Sequence, residues 1–334
     1  MAEPLPERVL VVRLGAIGDV ANALVVATAL KSAAPGIKVG WAVHDLASPL
    51  VVGHPDVDRV HVWRRRRGAD ELARVLREVR GEGYDLSIDL QRILKSALLA
   101  RLSRAPRVLG FDRARAKELS WLWTKEHVPP GRPGAHMVVQ YLEFVRYLGL
   151  PVYGAVQRFP EDPAAEAFAE ELVRALGRPP IVLNLGASKP ENRWPARRFG
   201  ELGRRILDEV GLPVVLTGGP GDAALGAEAW EALGDKVGAQ NLVGQTGLLQ
   251  LLELMRRARL VVSCDTGPMH LAAAVQTPVV ALFGPADPGR TGPFGEQHRV
   301  VRAPGVPGSM AEIDVGLVLS AVRESLLSSP PRGG

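Results

Sequence analysis

Short runs of apolar, β-branched residues alternate with longer helical patterns from one end of the chain to the other. Neighbouring parallel strands need a crossover connection, usually a helix, so this alternation is typical of parallel sheets covered by helices. It predicts an α/β protein built from Rossmann-like units. The predicted strands are 8–13, 37–43, 57–63, 86–90, 107–111, 181–185, 214–217, 260–264 and 279–283.

The alternation is interrupted between residues 149 and 163, a stretch that contains Pro151, Pro160 and Pro163 and has no periodicity. A chain of 334 residues has the length of about two domains, and we place the linker in this stretch. The two predicted Rossmann-like domains are expected to face each other, with the carboxyl ends of both sheets on a central cleft where ligands bind. The predicted divisions are 1–155, 156–312 and 313–334, the last containing a helix that packs back on the N-terminal domain and a disordered tail from Ser328.

Composition restricts the location and the partners of the chain. Its single cysteine, Cys264, excludes an internal disulfide and a multi-cysteine zinc site, and it fits a reducing compartment. The first predicted strand begins too early for a secretion signal, and charged residues interrupt every apolar run, so we expect a cytoplasmic protein that meets membranes only peripherally. The net charge of +5 suggests an anionic partner, but no nucleic-acid-binding motif accompanies it and nucleic acid is not expected.

The first motif follows the first predicted strand, where Gly15 and Gly18 precede a helix with Asp19 in its first turn. Glycines at a strand end let the backbone approach a ligand closely. Asp19 is either the N-cap of this helix or a carboxylate general base. The glycine spacing does not match G-x-G-x-x-G, and that fingerprint follows no other predicted strand, so a nicotinamide-dependent dehydrogenase is not favoured.

The second motif, residues 261–274, is a strand, a tight turn and a helix of small residues. Backbone N–H groups at the start of this helix, next to the Thr266 hydroxyl, would form a diphosphate site that needs no metal. Alternatively, Asp265 or Thr266 only caps the helix, and His270 only packs. Residues 283–293, rich in Pro and Gly, form either a rigid loop beside the same site or a simple connection.

Four segments together resemble the ADP-heptose heptosyltransferases of lipopolysaccharide core synthesis, glycosyltransferase family 9: residues 15–20, 194–195, 265–274 and 284–295. The most specific is the Asp-Thr-Gly-Pro-Met-His-Leu-Ala-Ala-Ala run followed by Gly-Pro-x-Asp-Pro. The resemblance implies a GT-B glycosyltransferase with an N-terminal acceptor domain and a C-terminal ADP-sugar domain. It also implies inversion at the anomeric carbon, no metal, and Asp19 as the catalytic base.

The resemblance also implies a set of donor-binding residues: Ser188, Asp222, Asp265, Thr266, Gly267 and His270. The family commonly has a lysine two residues before the tryptophan of Trp-Pro, where this chain has Asn192. Lys189 or Arg193 is the candidate replacement, because a metal-free pyrophosphate leaving group needs a cation.

The acceptor of such enzymes, Kdo on lipid A, carries carboxylates and phosphates, which arginine binds in bidentate fashion. Residues 89–96 look like the family's Asp-x-Gln-Gly-x-x-Lys-Ser segment, but Arg92 stands where the family commonly has glycine. Lys95 is equally explained as a solvated helix charge, and the arginine run 64–67 as a solvated face. The predicted acceptor-binding residues are Gly18, Arg64, Arg65, Gln91, Lys95 and Lys117.

The function expected from the resemblance is transfer of heptose from ADP-heptose to Kdo, the heptosyltransferase I reaction, at the cytoplasmic face of the inner membrane. Basic residues near the tryptophans at 121 and 123 suit attachment to an anionic membrane surface. The alternatives are the heptosyltransferase II reaction, another nucleotide-sugar transfer, or a relative that binds nucleotide or glycolipid without turnover.

Overall fold

The computed structural model describes residues 4–65, 67–187, 189–234, 236–305 and 307–328. The chain divides into two compact units, Met1–Glu161 and Asp162–Gly334. Each unit contains one six-stranded sheet in which every pair of neighbouring strands is parallel.

The first unit has its strands in the order β3-β2-β1-β4-β5-β6. The strands are β1 Arg8–Val12, β2 Lys38–His44, β3 Arg59–Trp63, β4 Leu86–Asp89, β5 Arg107–Phe111 and β6 Glu126–Val128. The helices are α1 Ile17–Ala33, α2 Gly68–Gly81, α3 Leu94–Leu102 and α4 Met137–Tyr147, with short 3-10 turns at Ser48–Leu50 and Ser120–Trp123.

The second unit has the order β12-β11-β10-β7-β8-β9. Its strands are β7 Ile181–Asn184, β8 Val214–Thr217, β9 Ala239–Asn241, β10 Leu260–Cys264, β11 Val279–Phe283 and β12 Arg299–Arg302. Its helices are α5 Pro163–Leu176, α6 Ala196–Arg205, α7 Ala223–Leu233, α8 Leu248–Arg257, α9 Gly267–Ala274, α10 Pro288–Thr291 and α11 Val315–Ser328. Short 3-10 turns lie at Pro190–Asn192, Pro220–Asp222 and Met310–Glu312, and a π turn, Ile206–Val210, extends α6.

Both sheets have the Rossmann strand order. In each, the order in which successive strands are added reverses between the first and the fourth strand of the unit. In the first unit β1 lies beside β4, with Val9 opposite Leu86, and in the second β7 lies beside β10, with Ile181 opposite Leu260. In open sheets of this kind, ligands bind outside the carboxyl ends of the strands at such a reversal point. The α/β prediction is confirmed, and the fold places the Asp19 motif and the Asp265 motif each at one reversal point.

The central strands are buried on both faces, which explains their nearly continuous apolar sequence. Helix α1 is also apolar on most of its surface and is buried from Val20 to Leu30. A helix that is apolar all round belongs in a core, and α1 packs against α4.

Three strands were not predicted: β6, β9 and β12. Each is only three or four residues long and contains polar side chains, because it forms the outer edge of its sheet. Hydrophobic patterning carries little information about such edge strands.

The division between the units falls six residues beyond the predicted boundary at 155. Residues 156–161 belong to the first unit because their polar groups bond there. The Gln157 side chain donates to the Ala21 carbonyl at 3.2 Å, and the Arg158 carbonyl meets His54 Nε2 at 2.9 Å. The Arg158 guanidinium also pairs with Asp56 at 3.1 Å.

Helix α11 lies on the second unit, and not on the first as the sequence analysis expected. Val318, Leu319 and Val322 join the apolar core under β10 and β11. The Ile313 carbonyl, just before the helix, accepts the Trp194 indole N–H at 3.0 Å. The helix includes Ser328, and the rest of the predicted tail lies outside the described residues. Among the helices described, none is long and apolar enough to cross a membrane.

Candidate functional site

The first group of candidate residues lies where β1 ends beside β4. Asp19 is the third residue of α1 and Ala16 is the N-cap, so Asp19 helps to cap the helix from its third position and is not the N-cap itself. The Asp19 carboxylate accepts the Ala16 backbone N–H at 3.4 Å and forms an ion pair with Arg13. Its side chain remains 46% exposed. The carboxylate is therefore fixed from behind while part of it stays open to a ligand.

Arg13, which sequence reasoning missed, is the buried partner of this carboxylate. Only 6% of its side chain is exposed, and its Nη1 donates to the Leu90 carbonyl at 3.2 Å. Its guanidinium lies 5.9 Å from the centre of the Tyr141 ring. The sequence did contain a signal for this partner, because Arg13 ends an otherwise apolar strand six residues before Asp19. Since arginine stays protonated in proteins, it supplies a permanent positive charge beside Asp19.

Asp89 and Gln91 hold the β1 loop from the neighbouring strand. Asp89 Oδ1 accepts the Gln91 backbone N–H at 2.9 Å, and Gln91 Oε1 accepts the Leu14 backbone N–H at 2.7 Å. Burial raises the pKa of Asp89 to about 6, against the opposing effects of hydrogen bonds and of the Arg13 charge. The amide oxygen of Gln91, a predicted acceptor contact, is thus used to fix the loop that leads to Asp19.

A cationic cluster lies at the ends of β2 and β3 and the start of α3. The Lys95 ammonium lies 4.0 Å from the centre of the Trp63 ring and 3.5 Å from His44 Nε2. Burial lowers the pKa of Lys95, and the charge of Arg65 lowers it further. Burial also lowers the pKa of His44, and the hydrogen bond that its ring makes to the Trp63 carbonyl opposes the shift. Positive charges that depress each other's protonation favour an anion between them.

The other predicted acceptor residues are less concentrated. Arg64 is half exposed, with Nη1 3.8 Å from Glu71, and Arg66 of the same run lies outside the described residues. Lys117 is exposed, and its backbone N–H donates to the Arg92 carbonyl at 2.8 Å. Gly18 is buried in the first turn of α1, where it adjoins Asp19.

Arg115, one of the basic residues that precede the tryptophans at 121 and 123, has a structural role. Its guanidinium pairs with Asp112 and with Glu143 on α4, each at 2.5 Å, and donates to the Val128 carbonyl at 2.9 Å. It therefore anchors α4 to the β5 and β6 ends.

In the second unit, the Asp265 motif forms the turn between β10 and α9. Asp265 follows β10 directly, and Thr266 is the N-cap with extended backbone, but its hydroxyl makes no capping hydrogen bond. Gly267 is the first helical residue and Pro268 the second. His270 is half-buried in the same first turn. The turn presents backbone donors and the positive end of the helix dipole, an arrangement that suits an anion.

Asp222 lies where the loops after β7 and β8 meet. Its Oδ2 accepts the Gly219 backbone N–H at 2.8 Å, which caps the turn that starts α7. A Cβ added at Gly186 would lie 2.4 Å from the same oxygen, so the two loops meet closely here. The carboxylate is half-buried and caps this turn. Its predicted contact with the nucleoside stays a prediction.

The loop after β7 carries the candidate phosphate contacts. Ser188 lies outside the described residues. Lys189 is exposed at the start of a 3-10 turn, and its carbonyl accepts the Asn192 backbone N–H at 3.1 Å. Arg193 Nε donates to the Ala187 carbonyl at 3.0 Å, which turns its guanidinium back toward the end of β7. Of the two candidate cations, Lys189 and Arg193, it is Arg193 whose guanidinium is held at the strand ends.

Two other features complete the second unit's site. Trp194 is buried and stacks edge-on against Phe199 at 4.9 Å, which fixes the loop after β7. Burial raises the pKa of the Cys264 thiol to about 12, so this cysteine at the end of β10 is not a nucleophile at neutral pH. In the described ranges, no group of three or more His, Cys, Asp or Glu side chains could hold a metal ion.

The first unit holds a fixed, partly exposed carboxylate, and the second unit holds a helix start that suits an anion. A carboxylate can take a proton from a hydroxyl nucleophile, and an anion site can stabilise a departing phosphate. These are the requirements of group transfer from an activated phosphate ester to a hydroxyl.

Comparison with known proteins identifies the family of this chain. Residues 72–311 match the model of glycosyltransferase family 9 (heptosyltransferase). Lipopolysaccharide heptosyltransferase 1 of Pseudomonas aeruginosa is 31% identical over 304 residues, which cover 87% of this chain and 82% of that protein.

Solved structures of two relatives from Escherichia coli have the same fold. ADP-heptose lps heptosyltransferase II superimposes with a TM-score of 0.81 at 25% identity, covering 96% of this chain and 99% of the other. Heptosyltransferase WaaC with ADP gives a TM-score of 0.78 at 28% identity, covering 95% and 99%. The fold is therefore GT-B, and the chain is an enzyme that belongs to glycosyltransferase family 9, the heptosyltransferases.

Proposed function

We propose that this heptosyltransferase moves heptose from ADP-heptose to a Kdo sugar of the lipopolysaccharide inner core on lipid A. The observation that carries the proposal is the Asp19 carboxylate, partly exposed at the end of β1 and ion-paired with the buried Arg13. Family relatives named as lipopolysaccharide heptosyltransferases support the donor and the pathway.

Asp19 acts as the general base. It removes the proton from an acceptor hydroxyl as that oxygen forms a bond to the anomeric carbon of heptose. The bond between this carbon and the diphosphate oxygen breaks on the opposite face, the configuration inverts, and ADP leaves with the electron pair. Proton removal at Asp19 makes the attacking oxygen more nucleophilic as the bond forms.

The donor diphosphate binds at the start of α9. Backbone donors and the hydroxyl around Thr266 and Gly267 meet its oxygens, with Asp265 and His270 beside them. Arg193 takes the role of the lysine that is replaced by Asn192, since its guanidinium is already directed toward the end of β7. Lys189 is the second candidate, Ser188 adds a hydroxyl, and Asp222 meets the nucleoside.

The acceptor's carboxylates and phosphates bind the cationic cluster of the first unit. The charge of Arg65 lowers the pKa of Lys95, which puts both cations in this cluster, and Arg64 and Lys117 extend it. Gln91 and Gly18 position the adjoining loop and helix turn. We place the enzyme in the cytoplasm, peripheral to the inner membrane, and we propose that neither a metal nor another cofactor takes part.

The test is ADP release from ADP-heptose in the presence of EDTA, with and without Kdo-bearing lipid A, for the native protein and Asp19→Asn. We expect acceptor-dependent release that survives EDTA and falls about 10²- to 10⁴-fold in the variant, the range for a lost general base. ADP affinity should not change. Asparagine still offers an oxygen to the Ala16 N–H, so thermal unfolding should stay close to that of the native protein.

The same assay separates the alternatives. Strict dependence on a divalent cation would overturn the metal-free mechanism, and ADP binding without release would indicate a binding protein. The heptosyltransferase II reaction is the second candidate, favoured by the structural match to that E. coli enzyme. Preference for an acceptor that already carries one heptose would establish it.

A further inference from the structure

Helix α3 exposes an apolar and basic stripe. Leu94, Lys95, Arg101 and Leu102 are all exposed and recur at a spacing that puts them on one face of the helix. The opposite face, Ser96–Ala97 and Leu99–Ala100, is buried. Leucines on a surface are ordinary when isolated, but these two flank a continuous exposed stripe.

The 3-10 turn Ser120–Trp123 adds a second apolar element beside α3. Leu119 is 64% exposed, Leu122 57% and Trp123 42%. The backbone of Leu119 has φ of +56°, in the left-handed region that a leucine rarely adopts. The Ser120 hydroxyl, buried below, donates to the Arg92 carbonyl at 2.8 Å and fixes the turn.

The turn and the helix form one surface. They pack against each other, and the Leu94 backbone N–H donates to Glu118 Oε2 at 3.2 Å. The backbone N–H of Lys117 donates to the Arg92 carbonyl at 2.8 Å, just before α3. We call this the α3 surface, formed by Leu94, Arg101, Leu102, Leu119, Leu122 and Trp123.

Charge is concentrated around the α3 surface. Residues 92–125 contain nine Lys or Arg and two Asp or Glu, a net charge of +7, whereas the whole chain carries +5. Both acidic groups are engaged: Asp112 with Arg115, and Glu118 with the Leu94 N–H. Arg101, Arg104 and Arg113 are exposed, and the Arg113 guanidinium lies 5.2 Å from the centre of the Trp121 ring.

We propose that the α3 surface docks on an anionic phospholipid bilayer, with Leu119, Leu122 and Trp123 entering the interface and the surrounding arginines meeting lipid phosphates. Tryptophan and leucine side chains flanked by basic residues are suited to the boundary between headgroups and acyl chains. An anionic surface potential attracts clustered basic residues. A nucleic acid would use the charge but would gain nothing from the exposed leucines.

The inference rests on the proposed function in one respect: a lipid-linked acceptor must be reached from the bilayer surface. Lys95 of the cationic cluster lies on the same exposed stripe of α3 as Leu94. Docking at the α3 surface would bring the acceptor-binding residues to the headgroup level.

The test is flotation with vesicles of phosphatidylcholine alone and with vesicles that also contain about a third phosphatidylglycerol. The native full chain should float only with the anionic vesicles, and less at high salt. A variant with Leu119→Gln, Leu122→Gln and Trp123→Gln should bind about tenfold less, as should Arg101→Gln, Arg104→Gln and Arg113→Gln together. The matched control is Leu46→Gln, Val52→Gln and Leu317→Gln, which changes equally exposed apolar residues elsewhere and should bind like the native chain.

Thermal unfolding and ADP release show whether the variants remain folded and active. The α3-surface variants should retain their thermal unfolding and their ADP release with acceptor dispersed in detergent, while Asp19→Asn should lose release but float normally. If the α3-surface variants float like the native chain, or if the control variant loses binding equally, the proposal is wrong. Flotation abolished by single-stranded nucleic acid at stoichiometric amounts would also overturn it.

Discussion

At the scale of single residues, the ion pair between Arg13 and Asp19 connects the apolar interior of β1 to the proposed catalytic base. The arginine donates to the Leu90 carbonyl on one side and meets the carboxylate on the other. One buried side chain thus ties the end of β4 to the first turn of α1. The position of Asp19, the proposed base, therefore depends on the sheet and not only on its own loop.

Replacing Arg13 with Met should lower the turnover rate about 10²-fold, the cost typical of a misplaced catalytic group. The affinity for ADP should stay unchanged, since the proposed donor residues belong to the second unit. Arg13→Lys, which keeps a positive charge, should recover part of the rate. The measurement is steady-state ADP release together with thermal unfolding; native turnover in the Met variant would show that Asp19 needs no such support.

Asp89 predicts a pH dependence of stability. Burial raises its pKa from an ordinary 3.8 to about 6, so the folded protein favours the protonated carboxyl. This contribution to stability is present below about pH 4 and is lost as the pH rises through 6. Asp89→Asn removes the titration. Between about pH 4.5 and pH 8, the free energy of unfolding of the variant relative to the native protein should shift in its favour, by up to roughly 2 kcal/mol.

Urea unfolding at both pH values measures this shift. Any constant cost of the asparagine amide at the hydrogen bonds of Gln91 and Ser96 cancels in the comparison. A difference between variant and native protein that is the same at both pH values would show that Asp89 does not titrate in this range.

At the scale of elements, the packing of α6 against α7 depends on a glycine. A Cβ added at Gly200 would lie 2.2 Å from the Ala229 carbonyl oxygen and 2.7 Å from the Ala232 Cβ. Since backbone cannot move aside cheaply, Gly200→Ala should destabilise the protein by about 2 kcal/mol or more. Gly221→Ala is the matched control, because its added Cβ meets nothing within 4 Å. Equal melting temperatures for the two variants would contradict this account.

The elements also show what sequence patterning can and cannot specify. The central strands and α1 are predictable because burial on all sides imposes a continuous apolar sequence. The motif residues are placed correctly at strand ends because parallel topology brings those ends to one edge. The N-cap of α1 was not predictable, because Ala16 has no capping side chain and Asp19 bonds the Ala16 N–H from the third helical position. The pair of Asp19 with Arg13 was not predictable either, because Arg13 is held by the Leu90 carbonyl, which is distant in sequence.

At the scale of the whole molecule, the organisation of the chain depends on contacts that no local pattern contains. The segment 156–161 belongs to the first unit through bonds to residues about 100 positions earlier, such as Arg158 to Asp56. Helix α11 closes the core of the second unit, although its amphipathic sequence would fit either sheet. Predicting which surface it covers requires knowing which core is incomplete.

The last helix gives a prediction for the second unit alone. A fragment of residues 162–334 should fold and bind ADP, whereas one that ends at 312 should not fold. The shorter fragment loses five side chains that are almost fully buried: Ile313, Val315, Val318, Leu319 and Val322. At about 2 kcal/mol each, their burial contributes about 10 kcal/mol, which is as large as the entire stability of a typical domain. It also loses the Ile313 carbonyl that accepts the Trp194 indole.

Circular dichroism during thermal unfolding distinguishes the two fragments, with calorimetric titration of ADP as the functional readout. We expect a cooperative transition and ADP binding for 162–334, and neither for 162–312. A fragment of 162–334 with Trp194→Phe tests the loss of the indole N–H that reaches Ile313 while an aromatic ring and all of α11 are kept. If 162–312 unfolds cooperatively and binds ADP as well as the longer fragment, α11 is an accessory to the second unit and not part of its core.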